Sequence, residues 1–180
     1  RQLAEGKRVL DLFSYNGGFA LSAAAGGATS VLSVDISAPA LESAKANFRL
    51  NRSRPDVAAC DYHTLTADVF DALDNLDEEY DLVIVDPPSF ANSADQIDSA
   101  LHAYDRLTRA ALRVTKRGGT LVAASCSSRI SADAFFGAIQ NAASKSGMTL
   151  YEIARTQHAL DHPIGFPEGA YLKCLFASVR

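Results

Sequence analysis

The stretch KRVLDLFSYNGGF, residues 7–19, constrains the fold more than any other part of the chain. Apolar and β-branched residues lead into Asp11, a polar turn closes on Gly17-Gly18, and a small-residue helix, FALSAAAGGA, follows. A buried strand that passes through a glycine turn straight into a helix is the opening βα unit of an α/β fold. It gathers backbone N–H groups and a helix N-terminus at one point, where a polar or anionic ligand can sit. Glycine there permits left-handed backbone and a close approach without a Cβ clash. The same turn also serves as a plain strand-to-helix connection, so the rest of the chain has to separate the two readings.

SVLSVD, Ser30–Asp35, is a second short apolar run ending in an acid, the pattern of a fully buried parallel strand. Ser37 is expected to cap the next helix, with Pro39 near its first turn and Glu42 in it. Leu41, Ala44, Phe48 and Asn51 fall on one face of that helix, and residues 52–55 read as a polar, proline-stopped loop. A weaker strand at 62–66 ends near Asp68 and runs into the helical VFDALDNL. YDLVIVDPPSF supplies the third strong strand, with Asp86 at its end. Residues 92–114 form a long helical stretch, with Ile97, Leu101, Tyr104, Leu107, Ala111 and Val114 at helical spacing.

RVTKRGG, residues 113–119, is expected to end that helix with positive charge and glycine. TLVAASCSS is the next strand, and Ser131 caps a helix from 132 to about 146, closed by Gly147. MTLYEIARTQ and YLKCLFASVR read as two final strands joined by the loop HALDHPIGFPEGA. Alternating strands and helices followed by two strands predict an α/β fold: a mostly parallel sheet with helices on both faces and a C-terminal antiparallel hairpin. A plain dinucleotide-binding Rossmann domain would continue with strand and helix. The closing hairpin suits the Rossmann-like, seven-stranded class I methyltransferase sheet better.

The 180 residues suit one domain. No apolar run approaches the ~20 residues of a membrane-spanning helix, and no membrane role is expected. Cys60, Cys126 and Cys174 are too few and too scattered for a disulfide framework, and none has metal-ligand spacing. Free thiols suit a reducing, cytoplasmic setting, and no metal is expected. A net charge of −4 gives no broad attraction to nucleic acid. That counts against a sequence-independent nucleic-acid binder but not against an enzyme that meets nucleic acid at a local basic rim. The start at Arg1, without methionine, sets the expectation that an N-terminal module precedes the domain.

Ligands of an open parallel sheet bind beyond the carboxyl ends of its strands. Asp11, Asp35, Asp68 and Asp86 all fall at such ends. An acid after the second strand can take both hydroxyls of a ribose, and Asp68-Val69 can receive an adenine amino group. Each acid alone reads as a helix cap or a solvated loop residue; together, in this order, they point to a nucleoside cofactor. The turn SYNGGF lacks the G-x-G-x-x-G spacing that seats a pyrophosphate, so S-adenosylmethionine is expected rather than a dinucleotide. Two prolines after Asp86 stiffen a loop that can hold a planar base, with Phe90 lining the pocket. Cys126, among Ser125, Ser127 and Ser128, lies where the next strand opens onto the cleft, and a thiolate there is a candidate nucleophile. Arg129, Arg49, Arg52, Arg54 and Lys173 are the basic residues that could touch phosphates; scattered arginines read as solvated surface, and Arg129 alone stands above that reading.

VLDLFSYNGGFAL, VLSVDIS, LTADVF, VDPPSF, SCSS and HP-x-x-x-FPEG-x-YLK, in this order, resemble the catalytic domain of the ribosomal RNA cytosine-carbon-5 methyltransferases that carry an N-terminal PUA domain. The likeness runs from Lys7 to the end of the chain. It implies an S-adenosylmethionine site of Phe13, Tyr15, Asn16, Gly17, Asp35, Ile36, Asp68, Val69, Asp86 and Pro87, and a base site of Pro88, Phe90 and Arg129. It implies Cys126 as nucleophile and Asp86 as its catalytic partner. The partner expected is RNA, specifically large-subunit (23S) ribosomal RNA, with a homodimer left open. A related branch methylates guanine at nitrogen-7 and lacks cysteine at the SCSS position. The alternative is therefore methylation of a base amino group or of guanine nitrogen-7 through Asp86, without a covalent cysteine step. Ser89 departs from the pattern, since many relatives have lysine there.

Overall fold

The computed structural model describes residues 1–91, 93–159, 163–166 and 169–180. Seven strands among them form one sheet in the order β3-β2-β1-β4-β5-β7-β6. β1 (Arg8–Leu12), β2 (Ser30–Asp35), β3 (Asp61–Thr66), β4 (Tyr80–Val85) and β5 (Thr115–Ser125) are mutually parallel. β7 (Lys173–Val179) runs antiparallel between β5 and β6 (Leu150–Thr156). The final hairpin is thus inserted edgewise, its second strand pairing on both sides. This is the Rossmann-like class I sheet that the alternation of elements predicts.

Strand side chains alternate between the two faces, and the two hydrophobic clusters follow that alternation. Leu10, Leu12, Val83, Val85, Leu121 and Ala123 pack against α4 (Val69–Asn75), α5 (Ile97–Arg113) and α6 (Ala132–Lys145). Val9, Val31, Leu82, Ile84 and Val122 pack against α1 (Gly18–Ala24), α2 (Ala38–Leu50) and α3 (Pro55–Ala59). Local chemistry starts two of these helices where the sequence says. Ser37 caps α2 through Ala40 N–H at 3.3 Å, and Ser131 caps α6 through Ala134 N–H at 3.2 Å. Among the described residues no helix is long and apolar enough to cross a membrane.

Four local expectations are corrected. Pro55 opens α3 at its first position instead of stopping a loop, since a missing N–H costs nothing there. Asn51 is the C-cap of α2, its amide donating to the Asn47 carbonyl at 2.8 Å, and adds nothing to the buried face. Residues 115–119 belong to β5, not to the end of α5. The register jumps from Tyr80 opposite Thr115 to Leu82 opposite Thr120, so the strand bulges. Gly119 is needed there: a Cβ would lie 2.8 Å from the Lys116 carbonyl oxygen and 3.0 Å from that of Asp81. Finally, α5 itself begins at Ile97, after a 3-10 turn at Ala94–Gln96. Asn92, expected at the head of that helix, and Leu160, Asp161, His162, Pro167 and Glu168 of the HALDHPIGFPEGA loop lie outside the described residues.

Candidate active site

The chain steps from β1 outward to β2 and β3, then returns to place β4 on the other side of β1. The order reverses between β1 and β4, and the crevice at their carboxyl ends is where a parallel sheet takes its ligand. The β1 turn on one wall of this crevice has left-handed backbone at three positions: Phe13 (φ 59), Tyr15 (φ 48) and Gly17 (φ 77). Two of these carry side chains, a conformation that persists only where the surroundings enforce it. Asp35 does so, accepting from Tyr15 N–H with one oxygen and from Ser37 N–H with the other, both at 2.8 Å. Ser14 N–H donates to the Val34 carbonyl, and the Asn47 amide donates to the Asn16 carbonyl at 2.9 Å.

Gly17 is required by its neighbour helix. A Cβ at this position would come within 2.9 Å of the Ala44 Cβ on α2. The open side of the turn is at Gly18, where a Cβ would meet only Asn16 Oδ1, at 3.9 Å. Ile36 and Tyr15 flank Asp35 and are 72% and 67% exposed, leaving apolar surface beside a carboxylate that has used two of its lone pairs. Asp68 is exposed and caps α4, accepting from Phe70 N–H at 2.8 Å, while Val69 is buried behind it.

Asp11 is wholly buried beneath the turn. One oxygen accepts from Ala20 N–H at 3.0 Å in the first turn of α1, and the other has no hydrogen bond among the described residues. Burial pushes this carboxyl up to about 7, against the pull of the Ala20 N–H and with a push from the charges of Asp86 and Asp35.

The opposite wall is built by β4, β5 and β7. Asp86 follows β4 half-buried, and burial raises its carboxyl above the usual range. Pro87 is buried and Pro88 exposed. The Cys126 sulfur lies 4.0 Å from the Pro87 carbonyl oxygen, so the DPPSF and SCSS loops meet. Ser127 adds a hydroxyl contact to the Ala91 carbonyl at 3.4 Å, and Ser89, the residue that departs from the lysine pattern, donates to the same carbonyl at 3.0 Å. Phe90 is half-buried, its ring 5.0 Å from that of Tyr104. Arg129 is exposed just beyond the SCSS loop.

One expectation about basic residues is corrected. Lys173 is buried, its ammonium donating to the Ser127 carbonyl at 2.5 Å and the Tyr171 carbonyl at 3.1 Å, so it braces the SCSS loop instead of meeting phosphate. Burial lowers the pKa of that amine. Arg49 lies in the last turn of α2, about 16 Å along the helix from the crevice at 1.5 Å per residue, and Arg52 and Arg54 follow beyond its end as exposed residues. Tyr104 also escapes the sequence reading except as a helix-face residue; its hydroxyl donates to Ser125 Oγ at 2.9 Å. No local pattern marks that hydroxyl. Lys173 does carry a signal: Lys173, Leu175, Ala177 and Val179 alternate on the buried side of β7.

A protein-family model described as S-adenosylmethionine-dependent methyltransferase matches residues 1–176. The chain belongs to that family, and S-adenosylmethionine is its cofactor, as the acids at the strand ends and the missing pyrophosphate fingerprint indicate. The open space at Gly18, the exposed Ile36 and the spare lone pairs of Asp35 fit such a group. Curated relatives include a protein of Deinococcus radiodurans named Ribosomal RNA large subunit methyltransferase, 45% identical over 97% of this chain and 42% of its own length. Another, of Shewanella amazonensis, is named Ribosomal RNA large subunit methyltransferase I and is 39% identical over 99% of this chain and 45% of its own. The chain therefore spans less than half the length of these relatives. Among solved structures, SMU.776, determined as a complex with SAH, superposes with a TM-score of 0.81 at 27% identity, over 97% of this chain and 45% of that one.

These findings correct the family read from the sequence motifs. The family shown is that of the S-adenosylmethionine-dependent methyltransferases, with relatives named for large-subunit ribosomal RNA, and not the PUA-domain-containing cytosine-carbon-5 family. The physical reason lies in what the motifs encode. A glycine turn, strand-end acids and a proline-stiffened loop describe how a class I sheet grips a nucleoside cofactor beside a planar acceptor. That grip is common ground and does not single out one family.

Proposed function

We propose that the protein methylates carbon-5 of a cytosine in large-subunit ribosomal RNA through a covalent adduct on Cys126. The observation that carries this reading is the meeting of Cys126 with the proline-proline loop that begins at Asp86. The names of the curated relatives support the RNA class.

Carbon-5 of cytosine is too weak a nucleophile to take a methyl group unaided. Attack of the Cys126 thiolate on carbon-6 forms a sulfur–carbon bond, breaks the 5,6 double bond and moves electron density to carbon-5. Asp86, whose carboxyl burial holds above its ordinary range, accepts from the exocyclic amino group and shares a proton with ring nitrogen-3, stabilising the charge that develops. S-adenosylmethionine, when bound, would supply the methyl group from its sulfonium: carbon-5 gains the new bond as the sulfur–methyl bond breaks and the neutral thioether departs. Loss of the carbon-5 proton to a base then expels the thiolate and restores the double bond. The target base must leave its stack to reach Cys126, and Pro88, Phe90 and Arg129 border the entrance it would use. On the other wall, Phe13, Tyr15, Asn16, Gly17, Asp35, Ile36, Asp68 and Val69 would hold the cofactor, with Asp86 and Pro87 completing the site from the Cys126 wall. The orphan oxygen of Asp11 lies beneath them.

The test uses large-subunit ribosomal RNA transcribed with 5-fluorocytidine, from which the carbon-5 substituent cannot leave as a proton. A stable protein–RNA adduct whose tryptic peptide maps to Cys126 is expected. Methyl transfer to ordinary transcript without any trapped adduct would overturn the reading. It would point instead to a base amino group or guanine nitrogen-7 as acceptor, with Asp86 alone carrying the chemistry.

A further inference from the structure

Tyr104 is one of the largest fully buried side chains, at 2% exposure, and it reaches from α5 to both reacting loops. Its hydroxyl donates to Ser125 Oγ at 2.9 Å, and the same oxygen accepts from Ser127 N–H at 3.3 Å. The residues on either side of Cys126 are therefore tied to one atom that Tyr104 holds in place. The ring of Tyr104 packs against Phe90 with centroids 5.0 Å apart, and Phe90 closes the DPPSF loop. Phe135 of α6 stands edge-on to the other side at 5.0 Å and an interplanar angle of 82°, which fixes the ring's rotation.

Phenylalanine would fill this aromatic pocket as well as tyrosine does. A buried hydroxyl is unfavourable unless it is paired, and the pairing here is spent on the turn that presents Cys126. Ser127 extends the link, its own hydroxyl donating to the Ala91 carbonyl at the end of the proline loop. We propose that Tyr104 is a positioning residue: through Ser125 and Phe90 it holds residues 125–128 and 86–91 in one register, so that Cys126 and Asp86 address the same base. This inference rests on the Cys126 reading above.

The experiment compares Tyr104→Phe and Ser125→Ala with wild type in the full-length protein, using a large-subunit ribosomal RNA transcript. Tyr104→Phe is expected to lower kcat for methyl transfer about tenfold, with KM for RNA and calorimetric affinity for S-adenosylmethionine unchanged within about twofold. Capture of 5-fluorocytidine transcript should slow by the same factor as kcat. Ser125→Ala should reproduce the loss, and the double variant should lose no more than either single one, since both remove the same link. A kcat for Tyr104→Phe within twofold of wild type would overturn the proposal, as would losses that multiply in the double variant. Absence of any adduct on the wild type would sink the cysteine mechanism instead. The kcat-against-KM split would then still report whether Tyr104 positions the loop carrying Asp86.

Discussion

The two walls of the crevice are held by different kinds of contact. On the β1–β2–β3 wall, carboxylates gather backbone N–H groups: Asp11 takes Ala20, Asp35 takes Tyr15 and Ser37, and Asp68 takes Phe70. On the β4–β5–β7 wall, the links begin at side chains and cross long stretches of sequence. Tyr104 reaches Ser125 across 21 positions, Ser127 reaches Ala91, Cys126 reaches Pro87, and Lys173 reaches Ser127 across 46. A wall of backbone donors is set as soon as the strands and their turns form, because every residue but proline brings its own N–H. A wall of side-chain links exists only after α5 and β7 have docked. The cofactor wall should therefore tolerate loss of any single reacting-wall side chain, and the reacting wall should be tunable one residue at a time.

The largest expected effect tests this separation directly. Cys126→Ala should reduce methyl transfer by about 1000-fold or more while S-adenosylmethionine affinity, measured by calorimetry, stays within about twofold of wild type. Loss of both together would mean that the two walls are one unit.

Asp11 lies beneath the cofactor wall, and the charge of Asp86 across the crevice also raises its carboxyl. Its carboxyl stands at about 7 in the folded chain, against about 3.9 when unfolded. Between these values the folded state keeps a proton that the unfolded state gives up. The contribution is complete below about pH 4 and is lost as pH rises to about 7, with a slope of at most about 1.4 kcal/mol per pH unit. Asp11→Asn should remove that slope, so urea unfolding should show the variant gaining on wild type between pH 5 and pH 7. Parallel stability curves for the two proteins would show that Asp11 ionises normally.

Gly17→Ala should cost about 2 kcal/mol in urea unfolding, because φ +77 and a 2.9 Å approach to Ala44 oppose a side chain at once. It should also weaken the cofactor, since the turn and α2 move apart together. An unchanged midpoint would show that the turn relaxes freely.

The smallest effect belongs to Lys173→Met, at about 1 kcal/mol of stability, from the Ser127 and Tyr171 carbonyls left short of a donor. Its methyl transfer should fall with no change in cofactor affinity. A fall in cofactor affinity would place Lys173 with the other wall.

Much of the cofactor wall is legible in the amino-acid sequence. β2 spans Ser30–Asp35, the range its apolar run predicts, and Ser37 and Ser131 cap their helices, because apolar runs and capping side chains act over three or four residues. Asp35 is placed at the crevice by its position at the end of β2 alone. Pro55 misleads because proline both stops and starts helices, and only the chain after it decides which. The pair Gly118-Gly119 misleads for a similar reason, since glycine ends helices and also allows strand bulges. Tyr104 is hidden for a different reason: it looks like an ordinary core residue until the strand order puts Ser125 beside it. Lys173 shows its burial in the alternation of β7 but not its partner, which only the strand order supplies.

The sequence by itself determined the α/β class, the strand-end acids and the candidacy of Cys126, because these follow from short-range periodicity and from the chemistry of single side chains. Only the tertiary structure decided that Cys126 meets the Asp86 loop, that Lys173 is buried beneath it and that Tyr104 joins the two. Those facts depend on β7 entering between β5 and β6 and on α5 packing across β5. No local pattern in the chain encodes such long-range pairings, because they are settled by the packing of the whole sheet.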